Sequence, residues 1–94
     1  MVLTTGLRKE TGLLKRHVRI MRLLLHEPMG ILRLSHATNL PMHQVRYSLR
    51  IMQLNDMLAP STKGAVLSKK GRKVLGSLGN DVDAVIKDLR SLQA

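Results

Sequence analysis

Apolar residues recur every three or four positions between residues 12 and 26, as they do on one face of an amphipathic helix. This first apolar stripe consists of Leu14, Val18, Met21 and Leu25. Glu27 should end the helix, because a residue that precedes a proline is pushed out of the α-helical region. Residues 1–10 are polar with little periodicity, so the sequence predicts a flexible N-terminus there.

The next segment predicts two helices that are separated by a short turn. Residues 32–38 suit a second helix of about two turns, and Asn39 tolerates the left-handed conformation that closes such a helix. Pro41 has a fixed φ that suits the first turn of a third helix, which we expect over residues 42–54 and which Asn55-Asp56 should end. The inward face of this third helix is predicted to consist of Val45, Leu49 and Met52.

The last third of the chain predicts a hairpin and two further helices. Residues 57–60 and 65–67 flank a Ser-Thr-Lys-Gly turn, which is typical of a short β-hairpin. Ser68 is a suitable N-cap for a helix that glycines weaken after residue 75. Asn80-Asp81 is expected to cap a separate final helix, whose apolar residues recur at steps of three and four. They are Val82, Val85, Ile86, Leu89 and Leu92.

This order of elements predicts a mainly α fold with a small β-hairpin, arranged as a winged helix-turn-helix domain with a C-terminal helix. The domain should cover residues 11–79, and residues 80–94 should form the C-terminal helix. The apolar repeat of this C-terminal helix covers only about two heptads, which are too few for a free-standing coiled coil. They suit a helix that packs on its own domain or one that pairs with its copy, and we expect a dimerisation segment.

The charge distribution indicates a polyanionic partner. Sixteen Lys and Arg residues against six Asp and Glu residues give a net charge of +10. Residues 1–80 hold fourteen basic and three acidic residues, a net +11, whereas residues 81–94 carry −1. A strongly basic body with a nearly neutral tail is typical of a polyanion-binding protein with a separate interaction segment. By itself the charge does not distinguish DNA, RNA and a membrane surface.

The composition excludes several other classes of protein. The chain has no Cys, so neither a disulfide framework nor a cysteine metal site is possible. No apolar run is long enough to span a bilayer, and the N-terminus lacks a signal-peptide pattern. A cytoplasmic location without a membrane partner is therefore expected. With one Tyr and no Phe or Trp, the core must consist of Leu, Ile, Val and Met.

The outer face of the third helix presents the residues that a DNA-reading helix needs. In a major groove, Gln can pair with adenine and Arg with guanine. We therefore expect Gln44, Arg46 and Arg50 to contact bases, and His43 and Tyr47 to contact phosphates or a thymine methyl group. The alternative is a solvated helix face in a protein that binds something else. Ser48 is expected near the crossing with the second helix.

Further basic residues flank this helix. The turn of the hairpin carries Thr62 and Lys63, which could contact a phosphate or a minor-groove edge, or could form a plain turn. Lys69 begins a basic cluster that could flank the DNA backbone or simply be solvated; its other members are Lys70, Arg72 and Lys73. The basic stripe of the first helix is interpreted as a solvated face. It consists of Lys15, Arg16, Arg19 and Arg22.

Nothing in the sequence predicts catalysis or a cofactor. The four histidines form no i, i+4 pair, and no Cys residue or cluster of acidic residues near them would complete a metal site. Glu10, Glu27 and Asp56 are too dispersed for paired-carboxylate chemistry. Neither a G-x-S-x-G motif nor a glycine-rich phosphate loop is present. The expectation is therefore a protein that is not an enzyme and has no metal, cofactor or evident small-molecule ligand.

Residues 30–75 resemble the small archaeal winged helix-turn-helix proteins that are predicted transcriptional regulators, and are similar more distantly to the MarR and PadR regulators. The segment LSHATNLPMHQVRYSLRIMQ resembles their helix-turn-helix, and MLAPSTKGAVLSKKGRKVL resembles their wing and the strand-to-helix junction. Asn39 and Asp56 stand where this family most often has Gly. Its ligand-binding members carry an extended dimerisation region, whereas this chain has only a short tail.

The resemblance implies sequence-specific binding of double-stranded DNA by a homodimer, which could repress transcription by blocking a promoter. Two alternatives remain open. A small basic winged helix can coat DNA without sequence preference as an architectural or chromatin-type protein, and such domains can also bind RNA or dock onto proteins.

Overall fold

The computed structural model describes residues 2–92, with side chains for residues 12–81 and 83–92. This part of the chain is mainly helical, with a small two-stranded antiparallel hairpin and a C-terminal helix. The elements in chain order are α1 (Val2–Leu24), α2 (Ile31–Thr38), α3 (Met42–Leu54), β1 (Leu58–Ala59), β2 (Val66–Leu67) and α4 (Lys69–Ser91).

Helix α1 begins ten residues earlier than the periodicity predicts. Residues 2–10, where the sequence predicts a flexible segment, are part of this helix, and residue 1 lies outside the described part of the chain. The segment contains no proline, and glycines at positions 6 and 12 cost only about 1 kcal/mol each relative to Ala. Extending a helix that already exists is easier than nucleating one, so residues with low helix propensity can join its end.

The turn between α2 and α3 has the conformation that its residues predict. Asn39 adopts the left-handed conformation, with φ 58° and ψ 33°, and its N–H donates to the carbonyl oxygen of Ser35. The Ser35 hydroxyl donates in turn to the Leu40 carbonyl oxygen. Pro41 follows with φ −59° directly before α3, whose bounds Met42–Leu54 agree with the prediction. The second and third helices are thus joined by three residues.

The hairpin is short and is attached to the loop that precedes α2. Strands β1 and β2 pair through Leu58 with Leu67 and through Ala59 with Val66. Beyond this pair, Ala65 exchanges two backbone hydrogen bonds with Met29, at 2.8 and 3.3 Å. Gly64 has φ 117°, and a Cβ atom there would lie 2.6 Å from the Met29 carbonyl carbon. Only Gly allows this approach, which fixes the end of the hairpin turn against the loop before α2.

Helix α4 is one continuous helix where the sequence predicts two. The Ser68 side chain caps it as expected, accepting a hydrogen bond from the Gly71 N–H at 3.0 Å. The expected break at Asn80-Asp81 is absent from the helix, which continues to Ser91. The boundary predicted between residues 79 and 80 therefore falls inside a helix. Helix propensity is a weak guide to where α4 ends, because Gly76 and Gly79 reduce the stability of the helix without ending it.

The core lies where α1, α2 and α3 meet the hairpin. It contains only Leu, Ile, Val and Met side chains, as the composition requires. The inward face predicted for α3 is confirmed, since Val45 and Met52 are fully buried and Leu49 is half-buried against the core. The buried apolar residues are Ile20, Met21, Leu24, Met29, Leu34, Val45, Met52 and Leu67. This packing fixes which face of α3 is turned outward.

Candidate nucleic-acid interface

The outer face of α3 is exposed and carries most of the side chains that the sequence singles out. His43, Arg46 and Arg50 are exposed, and the Tyr47 side chain is 48% exposed. These positions are three, four and seven residues apart, so they lie on one side of the helix. Gln44 lies at the flank of this face and is half-buried. The structure therefore brings the predicted α3 residues onto one surface.

This face forms one wall of a shallow concavity between α3 and the hairpin. The concavity has a volume of about 570 Å³. Its apolar residues are Ile31, Leu49 and Leu58, which come from α2, α3 and β1. Its polar residues all come from α3 and are His43, Arg46, Tyr47, Arg50 and Gln53. Guanidinium groups beside an apolar floor suit a ligand that is anionic on one side and apolar on another, such as a nucleic-acid strand.

The tip of the hairpin is exposed but does not line the concavity. Thr62 and Lys63 are exposed, and the Lys63 N–H donates to the Ser61 hydroxyl at 3.1 Å. Lys69 is exposed at the first position of α4. The predicted site therefore divides into an assembled group on α3 and three separate residues around it. A ligand that contacts all of them must be extended, as a duplex is.

Two arginines of α1 have structural partners, so the interpretation of the α1 stripe as a merely solvated face is wrong for them. The half-buried Arg16 donates its Nε–H to the Ser48 hydroxyl at 2.8 Å. Arg19 donates to the carbonyl oxygen of Thr38 at 2.6 Å, where α2 ends and its last carbonyls lack helical partners. These bonds connect α1 to both helices that follow it.

Ser48 is fully buried, and its hydroxyl accepts a hydrogen bond from Arg16 of α1. The Arg16 guanidinium carbon also lies 5.7 Å from the centre of the Tyr47 ring, within the range of a cation–π interaction. Sequence reasoning missed both contacts. Helical periodicity shows which face of an element is polar, but it does not show which side chain of another element meets it.

His17 is adjacent to this contact and does not add to the positive surface. Burial, followed by the charge of the neighbouring Arg16, lowers the pKa of His17 from its usual value of 6.5. Its Nδ1 atom is buried and has no hydrogen-bond partner among the described residues. The imidazole is therefore neutral at physiological pH, and the charge on this part of α1 comes from arginine and lysine.

The residues predicted for dimerisation form an exposed apolar stripe on α4. Val85 and Leu89 are each 57% exposed, Leu92 is 81% exposed, and Ile86 is exposed as well. The side chain of Val82 lies outside the described residues. These side chains are therefore not used by the core of their own domain.

The described residues offer few groups for other chemistry. They contain no cluster of three or more His, Asp and Glu side chains that could hold a metal ion. Arg33 and Glu27 form the only ion pair between the side chains described. No helix in this part of the chain is both long enough and apolar enough to cross a membrane.

In comparisons with known proteins, no family model matches the chain and no curated protein does. The resemblance of residues 30–75 to winged helix-turn-helix regulators therefore stays a prediction from the sequence.

Proposed function

We propose that the protein is a sequence-specific regulator of transcription that binds double-stranded DNA through a winged helix-turn-helix domain. In this proposal α3 enters the major groove, and the hairpin contacts the backbone or the minor groove. The observation that carries it is the exposed α3 face, with Arg46, Tyr47 and Arg50 on a helix that follows a three-residue turn. Arg46 and Arg50 are the candidates for base contacts, and His43 and Tyr47 are the candidates for phosphate or thymine-methyl contacts.

The charge distribution supports DNA as the partner. The net charge of +11 over residues 1–80 matches a phosphate backbone, which carries one negative charge per about 1.7 Å of duplex axis. Exposed basic residues occur on α3, at the hairpin tip and at the start of α4. Phosphate contacts by Lys63 and Lys69 would fix the orientation of the domain, while the α3 side chains read the bases.

We further propose that the protein acts as a homodimer through α4. The exposed stripe of Val85, Ile86, Leu89 and Leu92 is apolar, and the tail that carries it has a net charge of only −1. Two such helices can therefore meet without the repulsion that two basic bodies would feel. A two-fold dimer would place two α3 helices about one turn of DNA apart, which suits a palindromic site.

A second candidate function is non-specific coating of DNA, in an architectural role. It is favoured by the exposed cluster at the start of α4, which lies on a different element from the α3 face. Contacts to phosphates carry no sequence information, so these residues would bind any duplex. The cluster consists of Lys69, Lys70, Arg72 and Lys73.

Selection of bound sequences from random duplex DNA, at near-physiological salt, tests the proposal. An enriched palindrome with half-sites about ten base pairs apart is expected for a dimeric, sequence-reading regulator. Binding without enrichment would assign the protein to the architectural class instead. No binding to any duplex would contradict both candidates and direct attention to RNA or to a protein partner.

A pair of charge-matched variants shows which residues read the bases. Replacing Arg46 and Arg50 by Ala should reduce binding to the selected sequence more than binding to random duplex, since each good base contact discriminates by about 1–3 kcal/mol. Replacing Lys70 and Lys73 by Ala removes the same charge from α4 and should weaken binding to the selected and the random duplex equally. Fluorescence anisotropy of labelled duplexes measures both affinities, and equal losses for the arginine pair would mean that it contacts phosphates only.

A further inference from the structure

The contact of Arg16 with Ser48 and Tyr47 connects α1 to the exposed face of α3. We infer that Arg16 is a positioning residue for DNA recognition, which holds the Tyr47 side chain in its place on the α3 surface. This inference rests on the proposed function, because it gives Tyr47 a role in reading DNA.

The guanidinium of Arg16 contacts two neighbouring residues of α3 that point in different directions. Its Nε–H is bonded at 2.8 Å to the hydroxyl of Ser48, which is fully buried. Its guanidinium carbon lies 5.7 Å from the centre of the half-exposed Tyr47 ring. The hydrogen bond to the buried Ser48 hydroxyl fixes the guanidinium, and the fixed guanidinium covers one side of the ring.

The position of Tyr47 on α3 gives this contact its significance. Gln44 and Ser48 lie on the half-buried and buried side of α3, and Tyr47 is next to both on the helix surface. Tyr47 therefore lies at the edge of the exposed face, beside the buried flank. Arg46 and Leu49 lie on the opposite flank, where the concavity extends to Leu58 of the hairpin. Tyr47 also lines this concavity, and Arg16 contacts its ring from α1, on the side of α3 that carries Ser48.

A Tyr side chain that is already ordered loses less conformational freedom when a duplex binds. An unsupported ring on an exposed helix face exchanges between rotamers, and binding must select one of them. Removing the support should weaken binding roughly three- to tenfold, the range associated with ordering one flexible side chain at an interface. The effect should disappear when Tyr47 itself is absent.

The free protein provides the first test, because Tyr47 is the only aromatic residue of the chain and therefore its only intrinsic fluorophore. In Arg16→Met the ring should become more accessible, so acrylamide should quench the Tyr47 emission more strongly than in the wild type. Arg22→Met is the matched control, since it removes the same charge from an exposed position of the same helix. Equal quenching in the two variants would overturn the contact, whether or not the protein binds DNA.

The second test measures affinity for a labelled duplex. Arg16→Met and Arg16→Lys should both lower the affinity for the duplex roughly three- to tenfold. Met lacks the guanidinium altogether, and Lys keeps the charge but lacks the Nε–H and the planar group. The slope of log affinity against log salt should stay unchanged in Arg16→Lys. Full affinity in Arg16→Lys would instead show that Arg16 acts through its charge on a phosphate, and would overturn the positioning role.

A double-mutant cycle shows whether Arg16 acts through Tyr47. In a Tyr47→Ala background, Arg16→Met should cause no further loss of affinity. An equal loss in both backgrounds would overturn the inference. If the wild type binds no duplex at all, the proposed function fails, and the quenching experiment still decides the contact. Thermal unfolding of each variant shows that it is folded, and Arg16→Lys remains informative if Arg16→Met is not.

Discussion

Gly71 and Gly76 lie on the same helix but in opposite surroundings. Gly71 is buried in the first turn of α4, and a Cβ atom there would collide with the backbone carbonyl oxygen of Met57 and lie 3.2 Å from a Leu67 methyl group. Gly76 is exposed, and apart from its chain neighbours and the backbone of its own helix no atom lies within 4 Å of the position a Cβ would take. The first glycine is required by packing, whereas the second reduces helix stability without any packing benefit.

We expect these two positions to respond to Ala with opposite signs. Gly71→Ala should lower the free energy of unfolding by about 1–3 kcal/mol, because the Met57 backbone must move to admit the methyl group. Gly76→Ala should raise it by up to about 1 kcal/mol through helix propensity alone. Urea denaturation followed by far-UV circular dichroism measures both. Loss of stability in Gly76→Ala as well would contradict the open surroundings of Gly76.

Short-range chemistry predicts single residues well, and contacts between elements poorly. Asn39 and Asp56 adopt φ values of 58° and 59°, as expected for residues that tolerate the left-handed conformation, although Asn55 does not share it. Ser68 caps α4 as expected. The contact of Gly71 with Met57 involves a residue from another part of the chain, which no local pattern specifies. The same is true of the Arg16 contacts.

At the scale of elements, the continuity of α4 is the largest difference between expectation and structure. A capping pair such as Asn80-Asp81 can start a helix, but it can also lie inside one when no proline prevents it. Within the helix, Asp81 lies four residues after Ser77, whose hydroxyl donates to its carboxylate at 3.3 Å. The start of α3 was predictable because Pro41 marks it. No proline follows Lys69, so nothing comparable marks where α4 ends.

Proline substitutions distinguish one helix from two. If a separate helix were capped by Asn80, Asp81 would be its first residue and Asp81→Pro would be tolerated. In a continuous helix this change should cost about 3 kcal/mol of helix stability and should reduce the helical circular dichroism signal. Lys69→Pro is the control, because position 69 follows the N-cap Ser68 and should accept proline. Equal helical signals in the two variants would contradict the continuous helix.

At the scale of the whole molecule, the protein is elongated. Its principal extents are 51 × 28 × 21 Å, and its radius of gyration is 14.9 Å. A compact domain of this length would have a radius of gyration of about 12 Å. Every side chain described from Gly79 to Leu92 is exposed. The C-terminal half of α4 is therefore available to a partner, and the proposed homodimer gives it one.

A charge placed on the apolar stripe tests the dimer. Leu89→Lys should shift the protein from dimer to monomer in sedimentation equilibrium, because a buried charge without a partner is costly at an interface. Asp88→Asn changes the net charge by the same amount next to the stripe and should leave the dimer intact. If the wild type is itself monomeric, the proposal of a dimer fails.

The salt dependence of binding tests the contacts to DNA separately from the dimer. For about six phosphate contacts in each binding unit, the log of the affinity for a duplex should fall against log salt with a slope of roughly −5.

The attachment of the hairpin at Gly64 and Ala65 lies at the end of its turn, directly before β2, and leaves the tip of the turn free. Ala65, at the end of the turn, is held by two backbone hydrogen bonds to Met29, whereas the Lys63 N–H at the tip donates to the Ser61 hydroxyl within the turn itself. Residues 60–63 can therefore be exchanged or lengthened without disturbing the core, as long as Gly64 is kept. In an engineered or diverging copy of this protein, we expect the tip to accept sequence changes that leave the fold intact.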